Sequence, residues 1–218
     1  VWCLCAATPA AAGSDVIFGG HTAGFESVYF IPQSDEEAAR FLTQATFGPS
    51  KTTIAQFRAS SYDGWISQQL AQPPTLARAY LDALAALPTP PSIGQSQRMD
   101  RWFHTAGFGP DQLRQRMAFA LSQILVVSDR ADALSNDAFG VAEYADILAR
   151  NAFGNYRQLL EEVTLSPMMG RYLSHWRNRK ANLTGTQLPD ENYAREIMQL
   201  FTIGLIERAD DFSPILDG

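Results

Sequence analysis

The residues best placed to do chemistry lie between Pro189 and Gly204. Asn192, Glu196 and Gln199 fall at i, i+4 and i+7, so on a helix they share one polar stripe. Tyr193, Ile197, Leu200, Phe201 and Gly204 form an apolar stripe beside it, and Ala194, Met198 and Leu205 cover a third direction. A helix apolar on two sides is expected to be well buried, and its polar stripe with it. A buried carboxylate must be paired or neutralised. Glu196 is therefore the first candidate for a catalytic acid or base, with Glu191 or Glu162 as the second carboxylate of an acid–base pair. The structural alternative is as concrete. Glu191 and Arg195 stand at i, i+4 in the order that stabilises a helix by about 0.3–0.5 kcal/mol. Glu196 would then pair with an arginine from another helix, Arg116 or Arg171 first.

A second cluster spans residues 171–180. It holds Arg171, Arg177, Arg179, Lys180 and His175, with Tyr172 and Trp176 between them. Guanidinium and aromatic groups together could hold an anionic or sugar-like ligand by ion pairing and stacking. The plainer reading is a solvated face near a helix end, where cations also suit the dipole. The chain has three histidines, His21, His104 and His175, and no two are spaced to share a metal on one helical turn. Asp210 and Asp211 resemble the start of an oxygen-ligand calcium loop, but the spacing does not match a helix–loop–helix site. Nucleophile elbow, His-Glu-x-x-His, phosphate loop and dinucleotide fingerprint are all absent. No cofactor or metal site is read from the chain.

The elements that must position these groups are helical. Ser34 followed by Asp35, Glu36 and Glu37 is a capping box, and Ala38, Phe41, Leu42 and Ala45 repeat behind it. Ser50 caps a second helix. Tyr62, Trp65 and Ile66 mark a third, and Ala77, Tyr80, Leu81 and Leu84 a fourth. Three prolines and a glycine between residues 88 and 94 make a loop. After a short helix containing Met99 and Trp102, Pro110 is expected to open one over 110–128. Its stripe of Leu113, Met117, Leu121, Ile124 and Leu125 makes it the expected core helix. Helices near 136–150 and 155–165 follow, then a short one opened by Ser166 and Pro167, then 189–204. No alternating strand pattern and no internal repeat occurs. The fold class is all-α, a compact multi-helix array of about nine helices without a substantial sheet.

With 218 residues, 46% hydrophobic and 18% charged, the chain can bury one substantial core and is not disordered as a whole. No run of about 18 apolar residues exists to cross a membrane. A net charge of −6 argues against a nucleic-acid coat. Residues 1–13 are uncharged, carry both cysteines, Cys3 and Cys5, and turn small-residue rich. They read as the remnant of a secretory signal peptide, which predicts an exported, cysteine-free mature protein. Residues 14–33 read as an extended lead-in, 34–206 as the helical domain and 207–218 as a truncated loop.

Four blocks carry a family likeness. They read ARFLTQATFGP (39–49), RMAFALSQILVVS (116–128), NAFGNYR through TLSPMMG (151–170) and PDENYAREIMQLFTIGL (189–205). In this order they resemble the bacterial family catalogued as domain of unknown function 1800, over about residues 35–206. The resemblance implies exported proteins of several hundred residues, often encoded beside another exported family related to alkaline phosphatases and sulfatases. It brings no established activity. It also implies a continuation through a Gly/Asp-rich loop and a second half, so the expected partners are that missing C-terminal part and an exported protein. The expected function is a helical scaffold or partner-binding module of the cell envelope. The alternative is a hydrolase or lyase acting on a polymeric or anionic substrate.

Overall fold

The computed structural model describes residues 31–215. The signal-peptide reading of residues 1–13, most of the lead-in and His21 lie outside the described residues. Among the described residues ten α-helices follow one another: α1 (Asp35–Ala45), α2 (Lys51–Arg58), α3 (Tyr62–Ala71), α4 (Ala77–Ala85), α5 (Gln95–Phe108), α6 (Gln112–Ser122), α7 (Ala138–Arg150), α8 (Tyr156–Leu165), α9 (Pro167–Tyr172) and α10 (Asn192–Met198). A π-helical segment, Gln199–Ile203, extends α10. The β pairing among the described residues is one isolated bridge between Arg208 and Pro214. The fold is all-α.

Local chemistry starts several of these helices where expected. The Ser34 hydroxyl accepts from Glu37 N–H at 3.2 Å. Glu37 reaches back one residue further than a capping box requires, to Gln33 N–H at 2.9 Å. Ser50 and Thr53 form a reciprocal box. Ser166 accepts from Met168 N–H, with Pro167 in the first turn where its missing N–H costs nothing.

The central helix is α7. It packs against α4, α5, α6, α8 and α9, and Val141, Ala142, Tyr144, Ile147, Leu148 and Ala149 are all buried along it. The expectation that 110–128 is the core helix is corrected on two counts. The helix begins at Gln112, with Pro110 ahead of its cap Asp111, and it stops at Ser122. The Ser122 hydroxyl donates to Phe119 O at 2.7 Å, a local bond that competes with the helical ladder. The β-branched Ile124, Val126 and Val127 that follow are weak helix formers. Leu125 is buried while Met117, Ile124 and Val126 are exposed.

Three apolar clusters hold the array. Ala38, Leu42 and Phe57 with Phe41, Tyr62 and Trp65 join α1–α3. Leu81, Ala138 and Ala142 join α4 to α7. The main cluster joins α6–α9 and ends on Tyr193 and Phe201.

The final helix starts later than its sequence suggests. Asn178 donates to Asp190 O at 2.6 Å and accepts from Asp190 N–H at 2.9 Å, pinning the chain outside the helix. Asp190 Oδ1 accepts from Asn192 N–H, so the helix opens at Asn192 rather than near Pro189. In the wider π turn, the Thr202 hydroxyl donates to Ile197 O at 2.6 Å and Met198 O at 3.2 Å. Gly204, with φ of +84°, ends the segment in a conformation that suits glycine.

Candidate functional site

Tyr193 and Phe201 fix the C-terminal helix to the main cluster, both under a tenth exposed. Tyr156 O–H donates to Phe201 O at 2.6 Å and holds the π segment against α8. Tyr193 OH meets Thr164 Oγ1 at 2.5 Å, and its ring lies 4.1 Å from that of His175. His175 Nε2 is 3.0 Å from Thr164 O, so in the neutral ring this nitrogen donates and Nδ1 carries the lone pair. His175 Nδ1 is buried and has no partner among the described residues. Burial pushes the Tyr193 phenol up, partly offset by its bond to Thr164. It stays protonated at neutral pH and serves as an anchor.

Glu196 sits one turn beyond Tyr193 and is half-buried. Its Oε2 is shielded from solvent and has no hydrogen-bond partner among the described residues. Among the described residues it forms no ion pair. Both expected arginines are engaged elsewhere. Arg116 lies over the Phe47 and Phe119 rings, and Arg171 pairs with Asp137 at 3.0 Å and lies over Trp176. The expected polar stripe is not buried as a unit. Asn192 is exposed, and Gln199 is partly covered at the start of the π turn. Glu191 and Arg195 form the expected i, i+4 pair on the exposed face. The structure thus brings His175 to Tyr193 and leaves Glu191, Asn192 and Arg195 on another side. Glu162, the other carboxylate considered, accepts from Asn151 at 3.0 Å and Gln158 at 3.3 Å.

The basic run 171–180 is largely exposed, and the guanidinium groups of Arg171 and Arg177 lie 5.7 and 5.8 Å from the centre of the Trp176 ring, which stays exposed. Asp211 folds back on its own turn, accepting from Ser213 N–H and Oγ–H, which lowers its carboxyl below the usual range. Among the described residues no three His, Cys, Asp or Glu side chains converge to hold a metal. A groove of about 700 Å³ runs between α1–α3 and the α5–α6 turn, and not one of its lining residues is charged. It offers hydroxyls, carboxamides and aromatic rings but no acid or base.

Among the described residues the buried carboxylates are Asp111 and Asp146, which sequence reasoning passed over. Asp146 lies on α7 and accepts from Ala77 N–H at 2.7 Å and Arg78 N–H at 2.9 Å. It caps α4, whose own N-cap, Leu76, has no side-chain acceptor. Asp111 accepts from Thr75 N–H at 2.8 Å, Thr75 Oγ–H at 2.7 Å and Gln115 at 2.9 Å. Gln112 donates to three carbonyls at the end of α5, and Arg114 donates to Ala149 O at the end of α7. These polar side chains serve helix termini whose backbone groups would otherwise be stranded. The signal was available in part. Asp146 is the one acid on the α7 stripe that carries Ala142 and Ala149.

Comparison with protein families matches residues 40–213 to "Protein of unknown function (DUF1800)". No curated protein and no solved structure matches the chain. The match spans most of the chain, including the α7 hub and the α10 segment. The chain belongs to the DUF1800 family.

Proposed function

We propose that the protein is a helical scaffold of the bacterial cell envelope that docks a partner protein through the outer face of α10 and its π extension. One observation carries this reading. Tyr193 and Phe201 hold the segment to the core, while Leu200 and Ile203 on its other side are 67% and 73% exposed. Met198 and Leu205, at either end of the segment, are exposed as well. A concentration of exposed apolar side chains in one segment marks an interaction surface. The polar side chains support a scaffold too, since Asp111, Asp146 and Gln112 are engaged with backbone groups at the ends of neighbouring helices. Export is part of the proposal and rests on the character of residues 1–13.

The test is site-specific photo-crosslinking in an exporting bacterial host. A photoreactive residue at position 203 should give a discrete adduct with one envelope protein, and the same residue at Asp82 should not. Equal labelling at both positions, or none at 203, removes the proposal. Cell fractionation of the same strain checks export.

A second reading is favoured by one atom. Glu196 Oε2 is shielded and unpartnered one turn from the Tyr193–His175 stack. On this reading the family acts as a hydrolase or lyase with Glu196 as its acid or base. Glu196→Gln would then abolish turnover of a polymeric or anionic substrate while leaving crosslinking at position 203 intact.

A further inference from the structure

We propose that the junction of α5, α6 and α7 binds a small amphipathic monocarboxylate, its apolar body in the cleft there and its head group at Arg101. The cleft has a volume of about 300 Å³ and is walled by Met99, Trp102, Phe119, Val127, Val141 and Leu148. A small cavity of about 40 Å³ adjoins it and shares Arg98, Trp102, Gln115 and Ala145 as walls. An apolar cleft ending in a few polar groups is the usual form of a small-molecule site.

The polar end is short of acceptors. Arg98 Nε and Arg101 Nε are both buried, and neither has a hydrogen-bond acceptor among the described residues. Arg98 is balanced through its other nitrogen by Asp129. Arg101 forms no ion pair among the described residues; its guanidinium lies 5.2 Å from the centre of the Tyr80 ring. The carboxylate sharing the cavity, Asp146, uses both oxygens on the Ala77 and Arg78 N–H groups. Gln115, on the same wall, donates to Thr75 O and Asp111. Arg98 and Arg101 therefore line this cavity, each with a buried N–H that no acceptor among the described residues meets. Buried donors require an acceptor, and guanidinium suits a carboxylate best. Asp129 and Asp146 near the cavity disfavour a dianion such as phosphate. The small volume admits one planar head group, and the apolar cleft takes a hydrocarbon body. A single bridging water is the competing occupant.

The experiment titrates the full chain with octanoate, octanol and octylammonium by calorimetry, with tryptophan fluorescence as a second signal because Trp102 lines the cleft. Octanoate should bind saturably at one site, at least about tenfold tighter than octanol, and octylammonium should not bind. Arg101→Met should erase the preference for octanoate over octanol. Ala145→Leu, which fills the shared wall and leaves every charge in place, should weaken both. Thermal melts establish that each variant is folded, and either variant alone suffices if the other is not. No saturable binding of octanoate, as a bridging water alone would give, overturns the proposal. So does binding no tighter than octanol, or a folded variant that binds as the wild type does.

Discussion

Asp146 is a carboxylate on the most buried helix of the molecule, and its partners are backbone groups rather than cations. Asp146→Ala strands two N–H groups at the start of α4, at about 1–3 kcal/mol each. Urea melts should show that loss, and Asp146→Asn, which keeps one acceptor oxygen, should lose less. Burial raises the Asp146 carboxyl above its ordinary value of 3.8 although the Ala77 and Arg78 N–H groups pull the other way. A raised folded-state value means that the folded form binds the proton more tightly. The stability of the wild type relative to Asp146→Asn is therefore greatest below pH 3.8 and falls as pH rises through the raised value. A relative stability that climbs over that window contradicts the assignment. Glu196 is the opposite case, half-buried with Oε2 unserved. Glu196→Gln removes charge without stranding a partner, so the melting temperature should hold or rise. A fall equivalent to about 3–5 kcal/mol would reveal a buried ion-pair partner.

The junction of α5 and α6 shows how one backbone contact sets the geometry of an element. A Cβ on Gly109 would lie 2.6 Å from Thr105 O, a backbone atom that cannot move aside. Gly109→Ala should cost about 1–3 kcal/mol by straining the closing turn of α5, where Gly109 N–H donates to that same oxygen at 2.8 Å. Gly107→Ala, which meets nothing within 4 Å, is the matched control and should be neutral or mildly stabilising. Melts of the pair decide whether the close approach or glycine in general is at stake. The elements were legible where their signals are local. Ser34, Ser50 and Ser166 each bond a backbone N–H two or three residues on, and a linear reading contains that whole interaction. Boundaries set by distant partners were not legible. Asn178 holds Asp190 across twelve residues and delays α10. The apolar character of Ile124–Val127 suggests a continuing helix, yet only Leu125 of that run is buried. The candidate site follows the same pattern. The local Glu191–Arg195 pair was readable from spacing, whereas the freedom of Glu196 depends on where Arg116 and Arg171 find their partners, Phe47 and Asp137.

The whole molecule is organised around α7, with the α1–α3 unit attached through α6 and the α10 segment through α8 and the main cluster. The two units are attached differently. The α1–α3 unit has its own apolar cluster and is tied on through Gln69, which donates to Pro110 O and accepts from Leu113 N–H at the start of α6. The α10 segment has no cluster of its own and depends on Tyr193, Phe201 and the Tyr156 bond. Elements with few buried anchors open at lower free energy than the core. Phe201→Ala removes a buried aromatic ring, a change that costs about 3–5 kcal/mol in a well-packed site. The prediction is that the segment releases without unfolding α7, so that its local opening free energy caps what the mutation costs the remainder. Hydrogen exchange should show residues 192–203 losing protection in Phe201→Ala while Tyr144 through Ala149 keep theirs. Crosslinking at position 203 should fall in the same variant, because the docking face is no longer presented. Equal loss of protection in α7 would show that the segment is integral to the core, and the docking face would then be a fixed wall of the array.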